Sequence, residues 1–432
     1  MEEISKKIDF TNLTFERDPG VHCFNPSIAH WKGNLYLCCY RAFVRYPNQQ
    51  KSAKLLDPEV DPNHPWLGGD QSVTWWNTVL GGDGTGFCIL QIDSPSYQVR
   101  NVKPLNDGKS IFALSYSNPP LQTNWTKLKG VDARLLHLKE DYFLVSYNTS
   151  IYSNDVQIKQ NKPCNSGCFM IATRLIQLNS KTGELGVFQE NIVCPPISNP
   201  VEKNWSFFFN NNNLFFSYGL VPTHQIYSAT LNFENGIMVC SKSSLAVPSF
   251  FGELEAFYNP STLESKFFHV SVTTPAIPNR MKKNRYIGVG HIKFKNKNQD
   301  ALNLFQDTPL GQFYFAHPQL KRHPIYDYFM FLYEFDSGTG AITRVSDAFL
   351  PDENTGYVLS FPSGIEYSGD EKNNLMISFG DHDSMCKLCI IRDFAWNKML
   401  RTIQRPHEFQ FFILPKACYT RRGVCSLLLS SV

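Results

Sequence analysis

Four short polar clusters stand out because each sits at the head of an apolar, aromatic-rich stretch. They are Asn25-Pro26-Ser27, with Arg41 following it; Asp132-Ala133-Arg134; Glu202-Lys203-Asn204-Trp205; and Phe361-Pro362-Ser363-Gly364, whose return stretch ends in Asp381-His382-Asp383. Turns alone call for Ser, Gly or Asn, so Asp, Arg and Lys at these points ask for a further reason. A carboxyl group can deliver or accept a proton. Guanidinium and ammonium groups can hold an anion, the guanidinium through its planar fork. Such groups do chemistry together only if residues far apart in sequence are brought within a few ångströms of one another.

The elements that must do this read as strands. Helical periodicity is almost absent, and what recurs is a short apolar strand, a polar turn and an aromatic-rich return strand. Ile28–Trp31 turns at Lys32-Gly33-Asn34 into Leu35–Tyr40, and Leu135–Leu138 turns at Lys139-Glu140-Asp141 into Tyr142–Tyr147. Trp205–Phe209 with Leu214–Tyr218, and Gly364–Tyr367 with Leu375–Gly380, repeat the pattern. Stretches such as Cys168–Thr173 and Tyr328–Phe335 supply outer strands between these hairpins. Units of short strands set around an axis shield their sheet edges, and their innermost strands line a central channel. The expectation is therefore an all-β, five-bladed β-propeller in which the polar heads meet at one mouth. A pair of β-sandwiches is the alternative, and it explains the repeated heads less well. The sequence offers no interdomain linker, so residues 1–432 are read as one domain with a core of about 22–393. Loop-rich insertions occupy about 47–86 and 293–324; the second falls within the fourth unit and is a candidate cover for one face. The Gly81–Gly86 run lacks the Lys-Ser/Thr and the strand–helix setting of a phosphate loop, and reads as a turn.

Bulk composition narrows the partners. The 41 Lys+Arg nearly balance 38 Asp+Glu, leaving +3 and no basic stripe, which argues against nucleic acid. The 14% aromatic content, with 34 Phe and 19 Tyr, suits strands first and stacking on sugar faces second. The polar opening Met1–Lys7 lacks a signal-peptide apolar run, and no stretch approaches the ~20 apolar residues of a membrane span. A cytoplasmic chain with no membrane partner is expected. The 12 cysteines are scattered; Cys386 and Cys389 fall in an alternating stretch and read as buried thiols rather than metal ligands.

Asn25-Pro26-Ser27 with Arg41, Val131-Asp132-Ala133-Arg134 and Lys203-Asn204 resemble the blade motifs of five-bladed propeller carbohydrate enzymes, closest to glycoside hydrolase family 130, the β-mannoside phosphorylases and hydrolases with related mannosyltransferases. Ile287-Gly288-Val289-Gly290-His291 and Ile377–Asp383 resemble the fourth and fifth blades, so the likeness runs from about His22 to Asp393. The family's second motif reads Glu-Asp-Pro-Arg; here Val131 and Ala133 replace its Glu and Pro, while the Asp and Arg remain.

The resemblance implies an enzyme acting on a β-mannoside-like bond by inversion, with Asp132 as general acid. It places Asn25, Ser27, Arg41 and Asn204 on the sugar, with Arg134 bracing the acid and Asp381 or Asp383 holding hydroxyls. Lys203 falls on a phosphate-contacting position, to which His224 or His291 could add. The implied ligands are an oligosaccharide or sugar phosphate, with inorganic phosphate a possible co-substrate and no cofactor. Glycoside cleavage ordinarily uses two carboxylates, whereas an inverting phosphorylase needs only the acid, since phosphate is the nucleophile. Phosphorolysis, hydrolysis and transfer all stay open. So do plainer readings: an Asp132–Arg134 structural ion pair, a turn at Asn25-Pro26, a solvated Glu202, and a catalytically silent propeller that binds glycans or proteins. A metal held by Asp381-His382-Asp383 is the weakest of these, because two carboxylates and one imidazole in a row are a poor ligand set.

Overall fold

Hydrogen bonding between neighbouring strands resolves the repeated hairpins into blades. The computed structural model describes residues 21–44, 82–93, 99–104, 127–151, 168–179, 181–182, 184–193, 202–263, 266–295, 303–322, 326–351, 358–369, 373–381, 385–392 and 394–414. Among these residues the strands form five sheets, antiparallel apart from one edge pair and each built almost wholly from consecutive strands. Blade 1 holds β1 (Val21–Lys32), β2 (Leu35–Val44), β3 (Gly82–Ile92) and β4 (Val99–Pro104). Blade 2 holds β5 (Lys127–Lys139), β6 (Tyr142–Ile151), β7 (Cys168–Leu178) and β8 (Leu185–Val193), and blade 3 holds β9 (Ser206–Asn210), β10 (Asn213–Gly219), β11 (Thr223–Leu231) and β12 (Met238–Pro248). Blade 4 is larger, with β13 (Phe268–Val272), β14 (Ile277–Pro278), β15 (Arg285–Lys295), β16 (Tyr326–Asp336), β17 (Ile342–Val345) and β18 (Ala348–Leu350). Blade 5 holds β19 (Ser360–Tyr367), β20 (Leu375–Asp381) and β21 (Met385–Ile391).

The blades close a ring. β1 lies against β5, β5 against β9, β10 against β13, β15 and β16 against β19, and β19 against β1. The fold is a five-bladed β-propeller, as the hairpin pattern predicts. Its core is divided among the spaces between blades. Leu37, Cys39 and Phe87 of blade 1 meet Leu135, Phe143 and Val145 of blade 2, while Leu136, Leu144 and Leu175 meet Trp205, Phe207 and Phe216 of blade 3. Alternation explains this: each strand sends successive side chains to opposite faces, and both faces of a blade are covered by its neighbours.

One strand breaks the consecutive order. β22 (Phe411–Ile413), which follows blade 5 in sequence, pairs in parallel with β18 at the outer edge of blade 4. The last two blades are thereby stitched together. As at the other three joints, no strand is shared between blades 5 and 1 among the described residues. That seam is held by packing, by Glu366 accepting the His30 amide at 3.0 Å, and by the Tyr36 hydroxyl accepting the Gly369 amide at 2.5 Å.

Two expectations about loops change. The glycines of Gly81–Gly86 do not end in a turn: from Gly82 onward they open β3, with Gly86 opposite Tyr40. A Cβ there would run into the Tyr40 ring, which gives the glycine a packing reason. The insertion read from Lys293 starts later, since β15 runs through Lys295. Its described part does not cover the central face. The helix α1 (Phe250–Phe257) and the helix α2 (Pro309–Ala316) pack into the blade 3–4 core, α2 through Leu310 and Phe313. Cys386 and Cys389 are buried thiols in β21, as expected. Among the described residues no helix is long and apolar enough to cross a membrane.

Candidate active site

The three heads that carry Asn25, Asp132 and Asn204 share an uncommon backbone state. Their φ angles are 49°, 54° and 60°, the left-handed region that non-glycine residues seldom enter. Asn and Asp tolerate it best, because their short polar side chains can bond locally. In β1 and β5 the residue sits in a bulge, between Phe24 and Ser27 and between Val131 and Arg134. Asn204 lies just ahead of β9. A bulge re-aims a side chain, and here all three residues line one cavity of about 700 Å³.

Asp132 is the hub of that cavity. Its Oδ1 accepts from Asn25 Nδ2 at 3.0 Å and from Arg41 Nη1 at 3.2 Å. The Asp132 and Arg41 side chains are 18% and 17% exposed. Burial pushes the Asp132 carboxyl up, but Arg41, Arg134, the Asn25 amide and Lys203 together outweigh it and bring its pKa down to about 2. The resting side chain is a carboxylate.

Arg134 does not pair with that carboxylate. It is 4% exposed, and its Nη1 donates to the backbone oxygens of Asp132 at 2.7 Å and Ala133 at 3.1 Å, while Nε donates to Thr273 O at 3.0 Å. It clamps the left-handed turn from below and ties blade 2 to blade 4. These contacts brace the backbone that carries Asp132, and the Asp132–Arg134 ion pair gives way to Asp132–Arg41.

The remaining predicted residues separate cleanly. Lys203 and His291 line the cavity with Asn25, Arg41, Asp132 and Asn204. His291 is nearly enclosed, and its Nδ1 lies 2.7 Å from Thr273 Oγ1. Burial, then Lys293, His269 and Arg134, hold its pKa well below the ordinary 6.5, so it offers hydrogen bonds and no charge. Three residues are elsewhere. Ser27 is buried, with Oγ accepting the Leu135 amide at 3.0 Å and so joining β1 to β5. His224 is buried in blade 3, with Nε2 at 2.8 Å from Ser217 Oγ and Nδ1 at 2.7 Å from Gly340 O. Burial drives its pKa down to about 4 despite the Gly340 carbonyl, and no ligand anion can reach it. Asp381 is buried against Lys387 rather than facing the cavity. Asp383 and His382 lie outside the described residues. No cluster of His, Cys, Asp and Glu among the described residues could hold a metal ion.

Most of the remaining lining was not predicted as a site. Glu202, read as solvated, is 4% exposed and accepts from Tyr218 Oη at 2.7 Å. Blade 4 contributes a whole wall: His269 and Ser271 from β13, His291 and Lys293 from β15, and Tyr326 and Tyr328 from β16. The register sets His269 opposite Lys293 and Ser271 opposite His291, while Val270, Ile292 and Phe294 turn to the core. The period-2 alternation in Phe268–Val272 and Gly290–Lys295 carried that signal. Burial, with Lys203 and Lys295 nearby, lowers the Lys293 ammonium to about 8.

Five blades around a funnel whose polar groups come from strand heads define a propeller with a central polar cavity. No family model matches the chain, and no curated protein matches it. Solved structures do. A β-1,2-mannobiose phosphorylase from Listeria innocua, in complex with β-1,2-mannobiose, is 12% identical, with 91% of this chain and 98% of that chain covered and a TM-score of 0.49. A mannose phosphorylase from Leishmania mexicana, in complex with phosphate ion, is 10% identical, covering 89% of each chain at a TM-score of 0.37. A GDP-Man-dependent mannosyltransferase from the same organism is 9% identical, covering 90% of this chain and 91% of that chain at 0.40.

Proposed function

We propose that the chain is a carbohydrate-active enzyme that breaks or makes a β-mannoside-like bond by inversion, with Asp132 as general acid. The observation that carries this reading is the convergence of three left-handed strand heads on Asp132, beside Arg41, at one cavity. Strained non-glycine residues cost about 1–3 kcal/mol each and persist where the surrounding structure uses them. Asn25 and Asn204 would bond sugar hydroxyls. Asp132 would give its proton to the leaving oxygen, and the attacking group would come from the opposite side.

The resting carboxylate must first gain that proton. An anion or a sugar hydroxyl that engages Arg41 and Lys203 relaxes their hold on Asp132 and lifts its pKa. Proton delivery is thus coupled to occupancy. The attacking group is phosphate, water or an acceptor hydroxyl; the buried Glu202 at the same cavity supplies a second carboxylate, the usual base for water. A catalytically silent glycan-binding propeller is the rival reading, favoured by the ion pair that keeps Asp132 deprotonated at rest.

One experiment separates them. The protein is incubated with mannosides alone, with added phosphate, with mannose 1-phosphate plus acceptors, and with a nucleotide sugar. Phosphate release, hydrolysis or transfer is expected in one arm, and Asp132→Asn should lower it by about 10²–10⁴-fold. Binding of mannosides with no turnover in any arm would leave the silent propeller.

A further inference from the structure

The inner strands run past the Asp132 cavity. Asp132, Asn204 and Phe361 line that cavity, and the strands they belong to or lead into, β5, β9 and β19, continue to the opposite mouth of the channel. There Leu136, Phe209 and Ile365, with Ile277 of β14, line a second cavity of about 300 Å³. That size is at the lower end of what small-ligand pockets occupy. β5, β9 and β19 each stand last in their sheet, so one edge of each faces the channel rather than another strand. Two charged groups complete the lining. The Arg280 guanidinium lies 4.2 Å from the Tyr367 ring, a stack that fixes its plane and leaves the edge of its fork free. Its Nη1 makes one long bond, to Asn373 Oδ1 at 3.4 Å. Glu366 accepts the His30 amide on Oε2 at 3.0 Å and the Tyr367 amide on Oε1 at 2.9 Å, which leaves a lone pair on each oxygen. The nearby Lys282 and Arg285 pair with Glu334 and Asp336, but among the described residues neither Arg280 nor Glu366 has an ion-pair partner. His137, also in the lining, is held by its own hairpin, with Nε2 at 2.8 Å from Glu140 O.

Consecutive residues of a strand face opposite sides. Glu366 accordingly reaches toward blade 1, while Tyr367, with Arg280 stacked on it, packs toward blade 4. The two charges thus share one largely apolar cavity without pairing with each other. A ligand of a single charge answers one of them and leaves the other uncompensated, whereas a zwitterion answers both. We propose that this second cavity binds a free apolar α-amino acid, with its carboxylate on Arg280, its ammonium on Glu366 and its side chain against Phe209, Ile277 and Ile365. A planar fork matches a carboxylate with two parallel bonds. The carboxylate of Glu366 accepts from an ammonium without giving up the two amides it already holds. A peptide chain fits less well, because either of its ends presents only one of the two charges. The site lies apart from the Asp132 cavity and stands whether or not the chain acts on sugars.

Calorimetric titration at neutral pH tests this with three ligands: L-leucine, leucinamide, which lacks the carboxylate, and N-acetyl-L-leucine, which lacks the ammonium. Each is titrated into the wild-type chain, Arg280→Met, Glu366→Gln and Asp132→Asn, and thermal melting of each variant confirms folding. The wild type should bind L-leucine about 10–100-fold more tightly than either of the other two, the worth of one charge-assisted contact. Arg280→Met should weaken L-leucine by a similar factor. It should leave leucinamide within about twofold of its wild-type affinity, since that ligand has no carboxylate for the fork to hold. Glu366→Gln, which keeps an acceptor for the His30 amide, should weaken L-leucine likewise and spare N-acetyl-L-leucine. Asp132→Asn should leave all three affinities unchanged, because Asp132 does not line this cavity. Should a variant fail to fold, the ranking of the three ligands on the wild type decides alone. No binding of L-leucine up to about 10 mM would overturn the proposal. So would leucinamide binding as tightly as L-leucine, which identifies a peptide N-terminus, or N-acetyl-L-leucine doing so, which identifies a C-terminus. Equal losses for all three ligands in Arg280→Met, or loss of L-leucine in Asp132→Asn, would overturn it as well.

Discussion

Asp132 combines two demands that pull in opposite directions, since an acid catalyst must carry a proton and this one rests as an anion. Its hold on the negative charge comes from residues that a ligand would contact. Arg41→Met should therefore raise the Asp132 pKa from about 2 toward the ordinary 3.8 or above, because burial then goes unopposed by its main partner. A carbon-detected NMR titration of the carboxylate reads this directly. The same shift bears on stability. A folded pKa below the unfolded one contributes stability that is complete above about pH 4 and is lost as pH falls through 2, on the order of 2 kcal/mol. Asp132→Asn should flatten the acid limb of a melting-temperature profile in that window and leave the alkaline side unchanged. At Asn204 the backbone makes the prediction. Asn204→Gly should be close to neutral in stability, whereas Asn204→Ala should cost about 1–2 kcal/mol for entering the left-handed region. An equal melting temperature for the two would mean that the φ of 60° is not a constraint.

Strands position the site, and small residues let strands approach. Gly86→Val should lower stability by about 1–3 kcal/mol, because its side chain has only the Tyr40 ring to push against; an unchanged denaturation midpoint would show that Tyr40 swings away at no cost. How much of such detail the sequence discloses depends on the element. Hairpins such as β1–β2 and β9–β10 are legible because alternation and a polar turn are local signals. The head residues are legible for the same reason, as polar groups where an apolar run begins. The start of β3 is hidden, since glycines that permit close packing look like glycines that permit turning. The wall of blade 4 is hidden differently: His269 and Lys293 meet across a register that spans more than twenty residues, and alternation alone does not say which face opens to the cavity. His224 is the converse case. Its polarity suggests a ligand, but Ser217 and Gly340 satisfy both ring nitrogens inside the core. Arg134 misleads in a subtler way, for its charge serves the backbone of the residue two positions before it.

Across the whole molecule, the ring has five joints, and among the described residues one of them is spanned by a strand from the end of the chain. β22, which follows blade 5, pairs with the edge of blade 4 and so ties those two blades together. Blade 1 is bound to blade 2 through Ser27 and through the Asn25–Asp132 contact. The joint between β19 and β1 has no shared strand among the described residues, and the cavity touches both of its sides, with Phe361 on one and Asn25 and Arg41 on the other. A ligand in the cavity should therefore bridge that joint and add to the bonds that hold it. Hydrogen exchange should show a saturating ligand slowing the seam amides His30 and Gly369 more than those of β12, which the cavity does not touch. Uniform protection around the ring would contradict this. In mechanical terms, a sugar spanning the mouth would act as a clasp across that joint.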